Sequence, residues 1–318
     1  GKGVEAWRAI LRSVQLNGLI NGSEVRKTAV WAGMDMPFIL LFARNSLPKP
    51  GHRFYFTTPV NDPHQNELGR FRLDYEATQP ISVDRVEKSP WVLKTLSLGT
   101  WRDVEVMESI LAAFPQTLAQ AWATWDEEGE RTGQGYNISR SLPQKPSKWL
   151  ADLPDFSPSN GDFAVSHHEL RTYEAAYRLK SAHMPRTEAL YQPPLVIVPK
   201  APGDDSTKPK AFHSPKPVAF SQSYYGYSCA GHPDADSLAS LLYLIPHSTL
   251  FRYFSLMISV SQGADRMMFT KQDLDALPFP DLATLPATTK TALRKLAHKL
   301  ERDARKPWDE IDAVLFKL

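Results

Sequence analysis

Apolar positions at the start of the chain recur at helical spacing and then give way to short apolar runs. Residues 4–14, VEAWRAILRSV, predict an amphipathic helix, and NGLI at 17–20 predicts a short strand. SEVRKTAV at 23–30 predicts a second helix with Ser23 as its N-cap.

Two further strands are predicted directly after this region. MPFILLFARN at 36–45 is a continuous apolar run, which is the pattern of a strand covered on both faces. HRFYFTTP at 52–59 predicts the next strand. The alternation of helix and strand is typical of one end of an α/β sheet whose first strands are missing.

The middle of the chain changes from strand to helix. ISVDRV at 81–86 is a strand candidate, and two helices are predicted over 101–114 and 116–125, the second started by Pro115. The glycine-rich run GERTGQGYNIS then breaks the helical pattern and predicts a domain boundary near residue 129.

The second half of the chain is rich in proline, and its strand-like runs are short. LVIVPK at 195–200 and KPVAFSQSYYGYSC at 216–229 predict strands. Two helices follow, broken at Pro246, with Asp236 as the candidate N-cap of the first. The chain ends in an amphipathic helix and a last helix that restarts at Pro307.

A polar, glycine-containing loop at 261–266 precedes the C-terminal helices. The short apolar run Met267-Met268-Phe269 follows it, and Thr270 with Asp273 has the form of a capping box that opens a short helix. Local rules predict loop, strand and one helical turn, but they assign the loop no function.

Composition sets the class of protein. The chain has 318 residues, of which 42% are hydrophobic and 23% charged, so a globular fold is expected and global disorder is excluded. The single cysteine, Cys229, cannot form an internal disulfide, which fits a reducing, cytoplasmic environment. No apolar run reaches the roughly 18 residues that a membrane span needs, so no membrane partner is expected.

Charge is distributed unevenly along the chain. Residues 206–233 contain no carboxylate, whereas Lys208, Lys210, His213 and Lys216 alternate with prolines and precede a tyrosine-rich run. Basic residues interleaved with aromatics are typical of a surface that follows a phosphate backbone. The alternative is a solvated loop that leads into an ordinary strand.

Signatures of catalysis are absent from the sequence. There is no GxGxxG, GxxxxGK[ST], HExxH, GxSxG or CxxC motif. His167 and His168 are adjacent and would point to opposite faces of a strand, and VDRVEK at 83–88 lacks the spacing of a metal nuclease. No catalytic, cofactor-binding or metal-binding residue is predicted in this chain.

Taken together, these segments resemble the C-terminal part of an N-6 adenine-specific DNA methyltransferase of the restriction-modification kind (type I or type IIG-like). INGSEVRKTAVWAGMDMPFILLFARN is similar to the last helix and strands of the family's methyltransferase sheet. PWVLKTLSLGTWRDVEVMESI resembles its Trp-containing turn and acidic helix, and TGQGYNIS its Gly-x-Gly motif before target recognition. YQPPLVIVPK, residues 241–282 and DEIDAVLFKL resemble the later part of the recognition domain and its closing helix.

The resemblance implies a fold of α/β plus α+β type with four parts. These are the end of a truncated Rossmann-like methyltransferase sheet (1–60), a connector with two helices (61–129), an α+β target recognition domain that binds DNA (130–285), and a C-terminal helical segment (286–318). The implied partner is double-stranded DNA, and the implied reaction is adenine-N6 methylation from S-adenosylmethionine.

The chain also departs from the family. The Gly-rich S-adenosylmethionine motif and the Asn-Pro-Pro-Tyr/Phe motif for a flipped adenine are missing, since YQPPL has Gln in place of Asn and no aromatic residue after the prolines. We therefore expect that the chain is a fragment, that it binds no cofactor itself, and that an N-terminal catalytic region of the same protein supplies these motifs.

The resemblance and the basic stretch together give a set of residues expected to contact DNA. Arg266 is predicted to read a base edge or a phosphate, with Ser261 and Gln262 supplying hydrogen bonds. The full set is Lys208, Lys210, His213, Lys216, Tyr224, Ser261, Gln262, Arg266 and Lys271. Two alternatives remain open, a stand-alone DNA-specificity protein without catalysis and a protein-interaction module that uses the acidic 61–130 region.

Overall fold

The structure, a computed structural model, divides into two compact units, Gly1–Ser109 and Ile110–Leu318. It describes residues 2–75, 78–114, 116–139, 141–156, 171–172, 181–202, 209–259, 262–263, 266–302 and 308–318. Both units contain helices and sheets, which confirms mixed α and β structure. The Rossmann-like origin of the first sheet and the finer boundaries near residues 60, 129 and 285 stay predictions. No helix in the described ranges is both long and apolar enough to cross a membrane.

The first unit is built on a four-stranded sheet with the strand order β2-β1-β3-β4. β1 and β3 run parallel, whereas β1–β2 and β3–β4 are antiparallel pairs. The elements, of which the last crosses into the second unit, are α1 Lys2–Ser13, β1 Gln15–Asn21, β2 Ile39–Arg44, β3 Arg53–Thr57, α2 Pro63–Glu67, β4 Gln79–Ser82, α3 Val83–Lys88, α4 Trp91–Leu98 and α5 Trp101–Ala113.

Helices cover one side of this sheet and form its core. Leu11 of α1 packs with Leu19, Phe54, Ile81 and Val92, and each of these side chains is at most 1% exposed. Burying one such side chain contributes roughly 1.5–3 kcal/mol. The predicted helix at 4–14 and the strands at 17–20 and 52–59 are therefore confirmed, because their apolar positions face a common core.

Strand β2 corrects the prediction that residues 36–45 are covered on both faces. The strand forms, but it lies at the edge of the sheet and pairs only with β1 among the described strands. Leu41 and Phe42, which point to opposite faces, are 44% and 51% exposed. An apolar strand edge with free backbone groups is a surface on which another chain segment can pair.

The helix predicted over 23–30 is wrong. Two 3-10 turns, Gly22–Val25 and Ala29–Trp31, occupy this region. Asn21, not Ser23, caps the first turn by accepting from the Ser23 amide. Lys27 between the turns has a φ of 58°, a left-handed conformation that interrupts any continuous helix.

The second unit is built around the antiparallel sheet β12-β11-β13-β6. Its elements are β5 Gln116–Thr117, α6 Leu118–Ala123, β6 Thr132–Gln134, β7 Lys145–Pro146, α7 Lys148–Ala151, β8 Pro154–Asp155, β9 Arg171–Thr172, β10 Ser181–Ala182, β11 Leu195–Pro199, β12 Phe212–Ser214, β13 Tyr224–Ser228, α8 Ala235–Leu244, α9 Thr249–Ile258, β14 Gln262–Gly263, β15 Arg266–Met267, α10 Lys271–Asp275, β16 Pro278–Phe279, α11 Ala287–Arg302 and α12 Trp308–Leu315.

Phe220 lies at the centre of the core beneath this sheet. It is fully buried, and its ring is 5.0 Å from that of Tyr191. Gly226 of β13 and Gly135, directly after β6, leave room for it, because a Cβ on either glycine would come within 2.6 Å of the Phe220 ring. The sheet therefore packs closely against one large aromatic side chain at Gly226 and at Gly135.

Three further predictions need correction at element boundaries. Residues 81–86 begin as the end of strand β4 but continue as helix α3. Helix α6 is opened by a capping box between Thr117 and Gln120, while Pro115 lies outside the described residues. Helix α8 begins one residue earlier than Asp236, with Asp234 at its N-cap.

Candidate nucleic-acid interface

The structure places the nine residues predicted to contact DNA in three settings. Lys208 and Ser261 lie outside the described residues. Gln262 and Arg266 lie on a hairpin of which the backbone alone is described. The side chains of Lys210, His213, Lys216, Tyr224 and Lys271 are described.

Lys210 is inside the second unit, with 5% of its surface exposed. Its Nζ donates to the carbonyl oxygen of Pro202 at 3.0 Å, and its backbone amide donates to Nε2 of His247 at 3.1 Å. An ammonium group held on a backbone carbonyl stabilises the local chain. Lys210 therefore does not belong to the exposed surface of the second unit.

His213 of β12 contacts a carboxylate of the C-terminal helix α11. Its Nδ1 lies 2.6 Å from Oε1 of Glu301, and Nδ1 of His298 lies 3.2 Å from the other oxygen. Burial raises the pKa of the Glu301 carboxyl, but hydrogen bonds and charges from the two imidazoles outweigh burial and hold the pKa below its ordinary value. The pair ties the edge of the sheet to α11.

We expect Glu301→Gln to destabilise the protein by about 1–2 kcal/mol at pH 6, because the charge-assisted hydrogen bonds weaken. A carboxyl whose folded pKa is depressed contributes stability above its unfolded pKa of about 4.3, and this contribution is lost as pH falls through the folded pKa. The difference between wild type and variant should therefore shrink below about pH 4. Urea unfolding across pH 3–6 measures it.

The matched control is Glu310→Gln, which removes an exposed carboxylate from a pair with Lys299. It should cost less than about 1 kcal/mol at every pH. A difference between wild type and Glu301→Gln that stays constant from pH 6 to pH 3 would contradict the assigned role of Glu301.

Lys216 and Tyr224 lie at opposite ends of the sheet face. Lys216 is exposed, and its backbone amide and carbonyl both hydrogen bond to the Ser214 hydroxyl. The Tyr224 ring packs edge-on against Phe156 at 5.3 Å, and burial, together with the charge of Asp155, raises the pKa of its hydroxyl. The side chain of Tyr224 lies on the opposite face of β13 from those of Tyr225 and Tyr227, as their alternation in the sequence predicts.

The polar loop predicted at 261–266 contains a two-stranded hairpin. Gln262 pairs with Met267 and Gly263 with Arg266. The exit from this hairpin is fixed by Phe269, whose amide donates to the Lys200 carbonyl at 2.7 Å. The predicted capping box is confirmed, since the side chains of Thr270 and Asp273 each accept from the other's backbone amide.

Lys271 is the first residue of helix α10, directly after the N-cap Thr270. Its ammonium group pairs with Asp275 and lies 5.2 Å from the centroid of the Tyr227 ring. Its charge is therefore neutralised locally, which leaves it less able to attract a phosphate.

Polar side chains that sequence reasoning passed over meet where β11 ends and β13 begins. Val198, Tyr225 and Gln134 are in register across β11, β13 and β6, so their side chains share one face of the sheet. Lys200, two residues after Val198, returns to that face, and its Nζ lies 5.5 Å from the Tyr225 ring centroid.

Arg186 reaches the same place from a loop. Its Nε donates to the carbonyl oxygen of Gly135 at 3.1 Å, and one terminal nitrogen lies 3.5 Å from Oε1 of Gln134. The backbone of Arg186 is left-handed, with a φ of 70°, which is uncommon for a residue other than glycine. We call the side chains of Gln134, Arg186 and Lys200 the sheet-end surface.

The sequence contains one signal for this surface. LVIVPK ends an apolar strand in a lysine, and a cation at a strand end is free to face solvent. Arg186 gives no such signal, because its position depends on a backbone conformation that no local rule predicts for arginine.

A cleft of about 550 Å³ opens beside the sheet-end surface. Its lining includes Arg186 and Lys145, but also the exposed Glu128 and Glu130. This mixture of charges fits no single class of ligand, so the cleft by itself assigns no function.

Groups suited to catalysis are sparse in the described part of the chain. It holds no cluster of three or more His, Cys, Asp or Glu residues that could bind a metal ion. Burial, together with the charge of Asp236, raises the pKa of the Cys229 thiol far above its ordinary value, so the thiol is protonated near neutral pH. His167 and His168 lie outside the described residues.

Comparison with solved structures shows a distant likeness, whereas comparison by sequence shows none. No protein-family model matches the chain. No curated protein matches its sequence. Among solved structures, the chain is similar to the type IIG restriction endonuclease BpuSI, with 12% sequence identity and a TM-score of 0.40. The match covers 94% of this chain and 40% of that chain, so this chain spans less than half the length of BpuSI.

Proposed function

We propose that this chain is the DNA-recognition part of a restriction-modification methyltransferase and binds duplex DNA at a specific sequence. The observation that carries the proposal is the β14–β15 hairpin, whose exit is hydrogen bonded to Lys200 through the amide of Phe269. A cation at the exit of a two-stranded hairpin suits a duplex, because it attracts a phosphate while the hairpin contacts a groove.

The dimensions of the major groove support a reading role for the hairpin. That groove admits a two-stranded ribbon, and an arginine can bind O6 and N7 of guanine with two parallel hydrogen bonds. We assign base reading to Arg266, which pairs with Gly263, and supporting hydrogen bonds to Gln262. Such an arginine–guanine contact contributes about 1–3 kcal/mol of discrimination.

We also propose that a separate catalytic region covers the apolar edge of β2. Ile39, Leu41 and Phe42 are each more than two-fifths exposed along this edge. Exposed apolar strand edges in natural proteins are normally paired or covered, and an added strand would satisfy the free backbone groups of β2. This support is independent of the hairpin, since it comes from the first unit.

The residues of this chain do not fit S-adenosylmethionine. The sequence has neither a Gly-rich phosphate- or nucleoside-binding loop nor an Asn-Pro-Pro-Tyr/Phe motif. Methyl transfer to adenine N6 is therefore assigned to the proposed catalytic region, and the role of this chain is to select and hold the duplex.

The test is selection of bound sequences from a pool of random duplex DNA at two salt concentrations. Wild-type protein should enrich one defined motif, and Arg266→Ala should relax the preference at one position, with a loss there of about 1–3 kcal/mol in discrimination. Affinity at the remaining positions should change little.

Arg252→Ala is the matched control, because Arg252 is an exposed arginine on helix α9. It should leave the enriched motif unchanged. A folded wild-type chain that binds no duplex at low salt would contradict the proposal and favour a protein-interaction module. If the chain enriches a motif and also forms a homodimer in which β2 is tightly paired, the result would instead favour a stand-alone specificity protein.

A further inference from the structure

Arg186 and Lys200 are held close together by the backbone at the sheet end. The amide of Lys200 donates to the carbonyl oxygen of Ser223, and the amide of Gly135 donates to the carbonyl oxygen of the next residue, Tyr224. The carbonyl of Gly135 in turn accepts from Arg186. Burial lowers the pKa of Lys200, and the nearby Arg186 charge lowers it further.

Neither cation is neutralised within the described residues. Arg186 donates to a backbone carbonyl and an amide oxygen, both neutral, and Lys200 faces the ring of Tyr225. Neither forms an ion pair with a described carboxylate, even though Glu128 and Glu130 line the adjacent cleft. Two nearby like charges repel each other, and an anion between them would replace that repulsion with two attractions.

The position of Arg186 is fixed in advance of any ligand. The hydroxyl of Tyr191 donates to the carbonyl of Pro185 at 3.1 Å, and the hydroxyl of Thr187 donates to the carbonyl of Glu130 at 2.8 Å. These bonds on both sides hold the left-handed backbone of Arg186, a conformation that persists only where its surroundings determine it. A side chain held in this way loses little freedom when a ligand binds.

We infer that Arg186 and Lys200 bind one and the same phosphate group of the DNA backbone, at the base of the β14–β15 hairpin. The inference rests on the proposed function and deepens it. The planar guanidinium offers two parallel donors to phosphate oxygens, while the ammonium group adds a point charge from the other side. A phosphate fixed here sets the register of the hairpin on the duplex.

The test compares Arg186→Gln, Lys200→Gln and the double variant in duplex binding, measured by fluorescence anisotropy over a series of salt concentrations. Each single variant should weaken binding about tenfold, equally for specific and random duplexes. The slope of log affinity against log salt should fall in magnitude by about 0.9 in the double variant, the contribution of one phosphate. If the two cations bound two separate phosphates, the slope would fall in magnitude by about 1.8 and the losses in binding free energy would add. That result would overturn the shared site.

Lys299→Gln, which removes a cation already paired with Glu310, is the control for net charge and should leave the slope unchanged. Circular dichroism and thermal unfolding confirm that the variants are folded. An unchanged slope in the folded double variant, with wild-type motif enrichment intact, would overturn the phosphate site and leave the proposed function standing. Wild-type protein that binds no duplex would overturn both.

A parallel titration with inorganic phosphate at constant ionic strength separates the two sources of this anion. Thermal stabilisation by free phosphate that disappears in the double variant, together with unchanged duplex affinity, would assign the pair to a small anion and overturn its role on DNA.

Discussion

Gly135→Ala is expected to lower the free energy of unfolding of the second unit by about 3 kcal/mol. A Cβ at this position would lie 2.2 Å from the carbonyl oxygen of Phe220 and 2.4 Å from that of Ser221. Both are backbone atoms, so relief requires the chain to move and not a side chain to rotate. The shift would also displace the carbonyl that accepts from Arg186, so duplex affinity should fall with stability.

Urea unfolding followed by tryptophan fluorescence measures the effect, with Gly18→Ala as the matched control. Gly18 lies in β1, where a Cβ would have neighbours at 3.7 and 3.9 Å, which is ordinary contact. That change should alter the stability of the first unit by less than about 1 kcal/mol. Equal effects of the two substitutions would show that the close approach at Gly135 does not exist.

Phe220→Ala is expected to cost about 3–5 kcal/mol, the range for removing a buried aromatic side chain and leaving a cavity. Phe220 is fully buried beneath the sheet and contacts Tyr191, Gly135 and Gly226. The same denaturation experiment measures this loss, and a cost below about 1 kcal/mol would contradict the central position of the ring.

Combining substitutions distinguishes the two glycines. At Gly226 a Cβ would lie 2.2 Å from Cζ of Phe220, so Gly226→Ala should be costly alone and nearly free in a Phe220→Ala background. Gly135→Ala should stay costly in that background, because its closest neighbours are carbonyl oxygens. Additive effects for Gly226 and Phe220 would contradict the packing described.

Local patterns in the sequence predict the parts of the fold that short-range forces decide. Helix α1, strand β11 and the capping box of Thr270 all form as predicted, since spacing and capping act over a few residues. The helix predicted over 23–30 does not form, because Lys27 is left-handed and its amide donates to the carbonyl of Met34, which lies outside the local pattern. The prediction that β2 is covered on both faces also fails, because apolar content does not distinguish a central strand from an edge strand.

The same division applies to the candidate interface. A basic, carboxylate-free stretch is visible in the composition, yet composition does not tell Lys210, whose ammonium group lies inside the unit, from the exposed Lys216. Arg186 and Lys200 lie at the same end of the sheet because three strands are in register and one loop is left-handed, which are properties of the folded chain alone. The DNA contacts predicted for all nine residues stay predictions.

The hairpin is fastened at its two ends, and this arrangement bears on how the protein can evolve. Before it, Ser259 is fully buried and its amide closes helix α9; after it, Phe269 is bonded to Lys200 and Thr270 opens helix α10. We expect substitutions between these two points to leave the sheet and both helices intact. Under the proposed function, a lineage could therefore exchange residues of this segment and acquire a new target sequence in a few steps, while the scaffold is inherited unchanged.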